Sequence, residues 1–193
     1  MNGHSNVTVA TSLAIPGRGI LAQLLWIVGF AAATALGARL EIPHQPVPYT
    51  LQTMVVLLAG AFLGARNGAI SQFLYLAAGF AGAPVFAGGA FGLAKLLGPT
   101  GGYLLAFPAA AAVVGYLIQR RSSVWWQAAA MVAGLLVIFA AGTAHLYAFT
   151  LHDGKTAFMS GFLLFSWWDL LKLTAAATIY HEIAKRWPVI PGR

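Results

Sequence analysis

Residues 20–38 carry no charge, and Gln23 and Thr34 are their main polar interruptions. As a helix they rise about 28 Å, close to the ~30 Å hydrocarbon core of a bilayer. The alternative reading, a secretory signal peptide cleaved near Ala-Leu-Gly-Ala-Arg39, is disfavoured by a weakly charged start and by the further spans that follow. Next comes Glu41-Ile-Pro-His-Gln-Pro-Val-Pro-Tyr-Thr50, which crowds three prolines into residues 43–48 and reads as a stiff loop. Thr50 is placed to cap a short second helix running to about Leu63. Asn67-Gly68 then breaks the chain, and a third helix covers 69–80. At about 18–21 Å both are short for full spans, so they tilt or end inside the protein.

Residues 79–102 are rich in glycine yet almost wholly apolar. A solvated connection would be polar, so this one is expected to pack back as a lid or cavity wall. A fourth span covers 103–118 and a fifth Val124–Leu146. After the His152-Asp-Gly-Lys155 turn, an apolar segment over 158–165 leads to Ser166-Trp-Trp-Asp169. That motif has the spacing of a capping box, with Asp in place of the usual Glu, and starts a sixth helix ending near Lys185-Arg186. The predicted fold is an all-α integral membrane protein, a bundle of six transmembrane helices with long outward loops. Residues 1–19 form a cytoplasmic N-terminal segment, 20–186 the membrane domain and 187–193 a cytoplasmic tail.

Composition sharpens this picture. Of 193 residues, 60% are apolar and 8% charged, against roughly 25% charged in soluble domains. So few charges cannot cover a water-soluble surface, and soluble enzyme classes are excluded. The 22 glycines favour packed membrane helices, and the absence of cysteine removes disulfides and thiolate chemistry. A net charge of +7 raises nucleic acid as a partner, but no basic run exceeds the pairs Arg120-Arg121 and Lys185-Arg186. Nucleic-acid binding is therefore excluded. The cations set orientation instead: Arg18, Arg66, Arg120, Arg121, Lys185, Arg186 and Arg193 fall on one side, and Arg39, Lys95 and Lys155 on the other. That asymmetry puts both termini of a multi-pass membrane protein in the cytoplasm.

Asp169 and Lys172 form the one opposite-charge pair inside a span, three residues apart and so on one helix face. Each alone costs roughly 2.5–3.5 kcal/mol at the bilayer centre, which makes intramembrane charge a functional candidate by default. A carboxylate that accepts and an ammonium that donates suit a flat group with N–H donors beside a carbonyl, a urea or an amide. The bland alternative is an ion pair that neutralises itself beneath Trp167-Trp168. His145, near the outer end of span five, is more often a packed interfacial residue than a ligand contact.

Catalytic patterns are missing. His181-Glu182 lacks the second histidine of a zinc helix, and no Gly-x-Ser-x-Gly occurs. Gly98-Pro-Thr-Gly-Gly-Tyr103 has the glycines of a phosphate loop without its Lys-Ser/Thr ending. No enzyme, metal site, cofactor or ATP-binding element is expected. In the first helix, Ala31-x-x-x-Ala35 and Ala33-x-x-x-Gly37 put small residues at four-residue spacing, which lets another helix approach closely, either a partner's or one of the bundle's own.

Four motifs occur in order: Pro46-Val-Pro-Tyr-Thr-Leu-Gln-Thr53, Tyr75-Leu-Ala-Ala-Gly-Phe-Ala-Gly-Ala-Pro-Val-Phe-Ala-Gly-Gly89, Gly98-Pro-Thr-Gly-Gly-Tyr-Leu104 and Asp169-Leu-Leu-Lys172. Together they closely resemble the BioY family, the substrate-binding (S) components of energy-coupling factor (ECF) transporters for biotin, over residues 20–186. The resemblance implies six membrane helices and high-affinity biotin capture from outside. It also implies uptake energised by a transmembrane coupling protein with two ABC ATPases. Biotin is then the transported ligand, not a cofactor, and its ureido ring meets Asp169 and Lys172. Loops 43–49 and 82–98 are expected over the pocket mouth, with Phe86 and Tyr103 the leading apolar contacts. Gly88, Tyr49, Gln52, Trp168 and His145 complete the candidate set. Ser166-Trp-Trp departs from the Pro-Gly turn of many members. The resemblance assigns Ala31, Ala33, Ala35 and Gly37 to docking the coupling protein; self-association is a further candidate contact. The competing functions are an autonomous proton-coupled biotin transporter and an S component for another vitamin.

Overall fold

The computed structural model describes residues 19–121, 123–162 and 167–186. Helix α1 spans Ile20–Arg39. Its inward stripe is Ile27, Ala31, Thr34 and Ala38, while Leu21, Leu25, Val28 and Leu36 are exposed. An apolar outer face fits a helix whose solvent is lipid, where polar backbone is satisfied within the helix itself. Two-residue strands β1 (Glu41–Ile42) and β2 (Tyr49–Thr50) then pair antiparallel, so the proline-rich loop is pinned at its base.

Helix α2, Gln52–Phe80, is helical throughout except at Gly64. A straight helix would hold Gln52 and Tyr75 about 35 Å apart. Instead the Gln52 amide donates to the Tyr75 hydroxyl at 2.5 Å, so the two limbs fold back on each other. Gly64 has φ 77° and ψ 177°, a conformation essentially restricted to glycine. The limbs also meet closely: a Cβ added to Gly68 would lie 2.9 Å from the Gly60 Cα. The predicted break at Asn67-Gly68 is thus three residues late. Gly68 is helical and serves close approach, while the reversal uses Gly64. The predicted cap is one residue early, since Thr50 belongs to β2 and the N-cap of α2 is Leu51.

A 3-10 turn (Ala87–Gly89) and short helix α3 (Leu93–Leu97) lead into α4, Gly101–Ile118. The second limb of α2 and the apolar glycine-rich stretch are sewn together by Phe86, whose ring fills the space a Cβ on Gly79 would take. Helix α5 covers Val124–Leu146, as predicted, and continues as a π-helical turn over Tyr147–Leu151. Helix α6 (Gly154–Ala157) is capped by Asp153, whose carboxylate accepts the Thr156 N–H at 2.9 Å. The Thr156 side chain first, and then this backbone bond, hold the Asp153 carboxyl below its ordinary pKa. A second π-helical turn (Phe158–Phe162) precedes α7, Trp167–Arg186. The proposed capping box at Ser166 lies outside the described residues, as do residues 1–18 and 187–193.

Helix α4 packs between α2 and α5 in the core, and α1 covers α2. Among the described residues, four helices are long and apolar enough to cross a membrane. A fifth candidate is the pair Gly154–Phe162 and Trp167–Lys185, bent by 44°. The described α-helices number seven rather than six: α3 and α6 are short helices inside the connections, and the predicted second and third helices are the two limbs of α2. The small-residue face of α1 is partly inside the bundle. Ala31 is 7% exposed and belongs to the core, and Gly37 is buried where a Cβ would lie 3.2 Å from the Leu51 and Gln52 backbone. Ala33 and Ala35 are half-buried. Ala31 and Gly37 therefore face the interior of the bundle, where small residues permit close approach.

Candidate binding site

Two segments distant in sequence, 50–53 and 169–172, converge on one ammonium group. Lys172 and Asp169 are 5% and 2% exposed, on the inner face of α7. Lys172 Nζ lies 2.6 Å from Asp169 Oδ1, donates to Thr53 Oγ1 at 2.9 Å and to the Thr50 carbonyl oxygen at 3.0 Å. An ammonium has three N–H donors, and three acceptors surround it. Burial of a lone charge is costly, so pairing and complete hydrogen bonding are what permit this one. The Thr50 carbonyl is presented by β2, which the start of α2 fixes to α1: the Leu51 N–H reaches the Gly37 and Leu40 carbonyls at 3.1 and 3.2 Å.

A second chain of hydrogen bonds runs outward from the same place. The Thr50 hydroxyl donates to Gln52 Oε1 at 3.0 Å, Gln52 Nε2 to the Tyr75 hydroxyl, and that hydroxyl to the Val85 carbonyl at 3.2 Å. The proline-rich loop and the glycine-rich stretch are thereby connected through α2. Arg39 adds a tether from the end of α1, donating to the Pro84 carbonyl at 2.6 Å.

Beside these groups is a cavity of about 60 Å³. Its polar wall holds Thr50, Gln52, Thr53, Asp169 and Lys172. Its apolar wall comes from Tyr103, Leu104 and Phe107 of α4 and from Ile138 and Phe139 of α5. Tyr103 stands edge-on to Phe139, ring centroids 6.1 Å apart, and its hydroxyl donates to the Gly161 carbonyl at 3.1 Å. That bond ties α4 to the π-helical turn before α7. The rim is completed by Val47, Pro48 and Tyr49 from one loop and by Ala87, Lys95 and Thr100 from the other. Both loops predicted to cover a pocket therefore do border one. A mostly apolar space with a carboxylate and an ammonium on one wall is suited to a largely apolar molecule with a polar, hydrogen-bonding end.

Asp169, Lys172, Tyr103, Tyr49 and Gln52, all named from sequence, line this cavity. Phe86 does not. It is fully buried one layer behind, edge-on to Tyr75 at 5.6 Å, and supports the wall; Ala87 lines the space instead. Gly88 is exposed, with φ +70°, and shapes the turn. Trp168 is half-buried and off the lining. His145 is also off it, stacked on Phe149 at 4.7 Å with Nε2 3.2 Å from the Gly98 carbonyl. It fastens the glycine-rich stretch to α5.

A model of the BioY family matches residues 6–189. The chain belongs to the BioY family. The biotin transporter BioY of Thermotoga maritima is 41% identical over 163 residues, covering 84% of this chain and 96% of that one. The probable biotin transporter BioY of Pyrococcus horikoshii is 41% identical over 154 residues, covering 80% and 91%. The fold is similar to the crystal structure of the S-component for biotin from an ECF-type ABC transporter. That match has a TM-score of 0.80 and 26% identity, over 86% of this chain and 92% of the other.

Within this BioY chain, the residues that sequence reasoning passed over fall in two groups. Thr53 and Thr100 lie inside the motifs quoted above, so a signal for them existed, and Lys95 lies between two of those motifs. Phe107, Ile138 and Phe139 carried none. In a helix apolar on every side, nothing in the sequence distinguishes the face turned to lipid from the face turned to a cavity.

Proposed function

We propose that this chain is the S component of an ECF-type transporter and that it captures biotin for uptake. The buried Asp169–Lys172 pair on the wall of an apolar, aromatic cavity carries the reading. Biotin has a planar urea fused to an apolar sulfur ring. Its two N–H groups are donors for the Asp169 carboxylate and for neighbouring acceptors such as the Gln52 side chain, and its carbonyl is an acceptor for Lys172. On binding, that carbonyl competes with Thr50 O and Thr53 Oγ1 for the Lys172 protons. Tyr103, Phe107 and Phe139 take the apolar remainder, and no covalent step is involved.

In this reading energy comes from a coupling protein and its ABC ATPases. Their contact surface lies away from Ala31 and Gly37, which are inside the bundle. Counting the two limbs of α2 separately gives six membrane passes, with both termini cytoplasmic on the seven-to-three cation asymmetry. Binding of radiolabelled biotin to the purified full chain in detergent, with thiamine and riboflavin as competitors, tests the proposal. Saturable biotin binding that the other vitamins do not displace supports it. Displacement by another vitamin, or no biotin binding by folded protein, overturns it.

A further inference from the structure

At the end of the bundle away from the cavity, two arginines between α4 and α5 stand on aromatic rings. The Arg120 guanidinium lies 4.4 Å from the centroid of the Tyr116 ring and donates to that residue's hydroxyl. The Arg121 guanidinium lies 5.0 Å from the centroid of the Trp126 ring. Trp126 is itself fixed, its Nε1 donating to the Leu117 carbonyl at 2.7 Å. Stacking occupies the face of a guanidinium and leaves N–H donors at its edge, the geometry that meets a phosphate. Both arginines are exposed, and neither has a carboxylate partner among the described residues.

Nothing acidic nearby compensates this charge. Gly115 packs against the backbone of Ala65, which brings the exposed Arg66 to the same end. Of the chain's four acidic residues, Glu41, Asp153 and Asp169 belong to the cavity end, and Glu182 pairs with Lys185 at 3.4 Å.

The apolar surface beside the arginines selects the kind of anion. Trp125 is 85% exposed, and exposed Ala129, Val132 and Leu136 follow it along one face of α5. Tyr116 ends a similar exposed stripe of Leu105 and Ala109 on α4. From Trp125 to Leu136 the helix rises about 16 Å, close to half of a ~30 Å hydrocarbon core. Trp and Tyr at the foot of such a stripe sit at the level of the lipid headgroups. A free phosphate would use the arginines and leave the stripes without a role.

We propose that Arg120 and Arg121 bind the phosphate of an anionic phospholipid whose chains lie along the exposed faces of α4 and α5. The inference is independent of what the cavity holds.

The test is equilibrium binding of radiolabelled phosphatidylglycerol and phosphatidylcholine to the purified full chain in neutral detergent. Both lipids carry the phosphodiester, but the choline ammonium cancels the charge of the second. An arginine near a membrane surface contributes about a fivefold factor, so the wild-type chain should prefer phosphatidylglycerol about twenty- to thirtyfold. Arg120→Gln combined with Arg121→Gln should remove that preference, while the paired lysine substitutions should retain most of it. Lys155→Gln, at the cavity end, should leave it unchanged. An unaltered unfolding temperature certifies that the variants are folded. Equal wild-type affinity for the two lipids overturns the proposal, and so does a preference that survives the paired glutamine substitutions. Displacement of phosphatidylglycerol by millimolar inorganic phosphate at constant ionic strength overturns it too, because the stripes would then contribute nothing. If the lipids bind equally and the glutamine variant instead loses co-purification with a coupling protein, the surface takes an acidic protein segment and the lipid assignment is wrong.

Discussion

The Lys172 ammonium donates to the backbone carbonyl of Thr50 at 3.0 Å, across 122 residues of sequence. One bond therefore joins the last described helix to the strand that ends the proline-rich loop. It places the charge pair of α7 against the start of α2, where Thr53 supplies a further acceptor at 2.9 Å. The site is thus held by the same contacts that close the bundle, and ligand affinity and fold stability are coupled through Lys172.

Asp169→Asn keeps the shape of the side chain and removes its charge. Biotin affinity should fall about ten- to a hundredfold, since a bond to a charged partner contributes about 1.5–3 kcal/mol. Lys172→Met should lose affinity and also stability, because it removes the ammonium that faces the buried Asp169 carboxylate. Equilibrium titration with parallel thermal unfolding in detergent separates the two effects. Wild-type affinity in a folded Asp169→Asn variant would reduce the pair to a structural ion pair.

Gly64→Ala tests the fold-back. At φ 77° and ψ 177° a Cβ is strained whatever space surrounds it. The variant should lose about 1–3 kcal/mol of stability, read as a lower unfolding temperature and lower folded yield. Asn67→Ala, at the position where the sequence placed the break, should change little. Equal effects of the two would contradict the reversal at Gly64.

Ala31→Trp should impair folding and biotin binding together, because Ala31 is 7% exposed in the core. Overpacking of this kind costs about 1–3 kcal/mol or more. Size-exclusion profile and biotin titration read the outcome. A variant that folds and binds normally yet fails to associate with a coupling module would restore the docking role to this face.

Ligand protection reports on the rim. Amide hydrogen exchange in 43–49 and 82–98 should slow when biotin is added, because these segments border the cavity and are tied to it through Gln52, Tyr75 and Val85. The far end of α5, near Val124, should be unaffected. Unchanged exchange in both rim segments at saturation would make them scaffold.

Orientation has its own test. Single cysteines at Gln45 and Gly154 should react with an impermeant thiol reagent in intact cells, and one at Ser122 should not. The background is clean, since the chain has no cysteine of its own. The reverse pattern would place the termini outside.

The sequence by itself determined a membrane solvent, the position of most helices and the chemistry of the pair. Those follow from local properties: an uncharged run of sufficient length, a Pro/Gly break, and two opposite charges at i,i+3. Val124–Leu146 was legible to the residue because a polar, basic stretch precedes it and a turn follows soon after it. The tertiary structure decided which faces look inward. Ala31-x-x-x-Ala35 reads identically whether a partner helix or the bundle fills its groove, and only the tertiary structure shows that Ala31 is buried. Phe86 and Ala87 are neighbours in one apolar motif, yet one backs the wall and the other lines it. Asn67-Gly68 carries the stronger turn signal, but the reversal took Gly64 because the two limbs had to meet at Gly60 and Gly68. In lipid the hydrophobic effect does not sort such faces, so close packing and long-range hydrogen bonds such as Lys172 to Thr50 do the sorting, and neither is written in a local window of sequence.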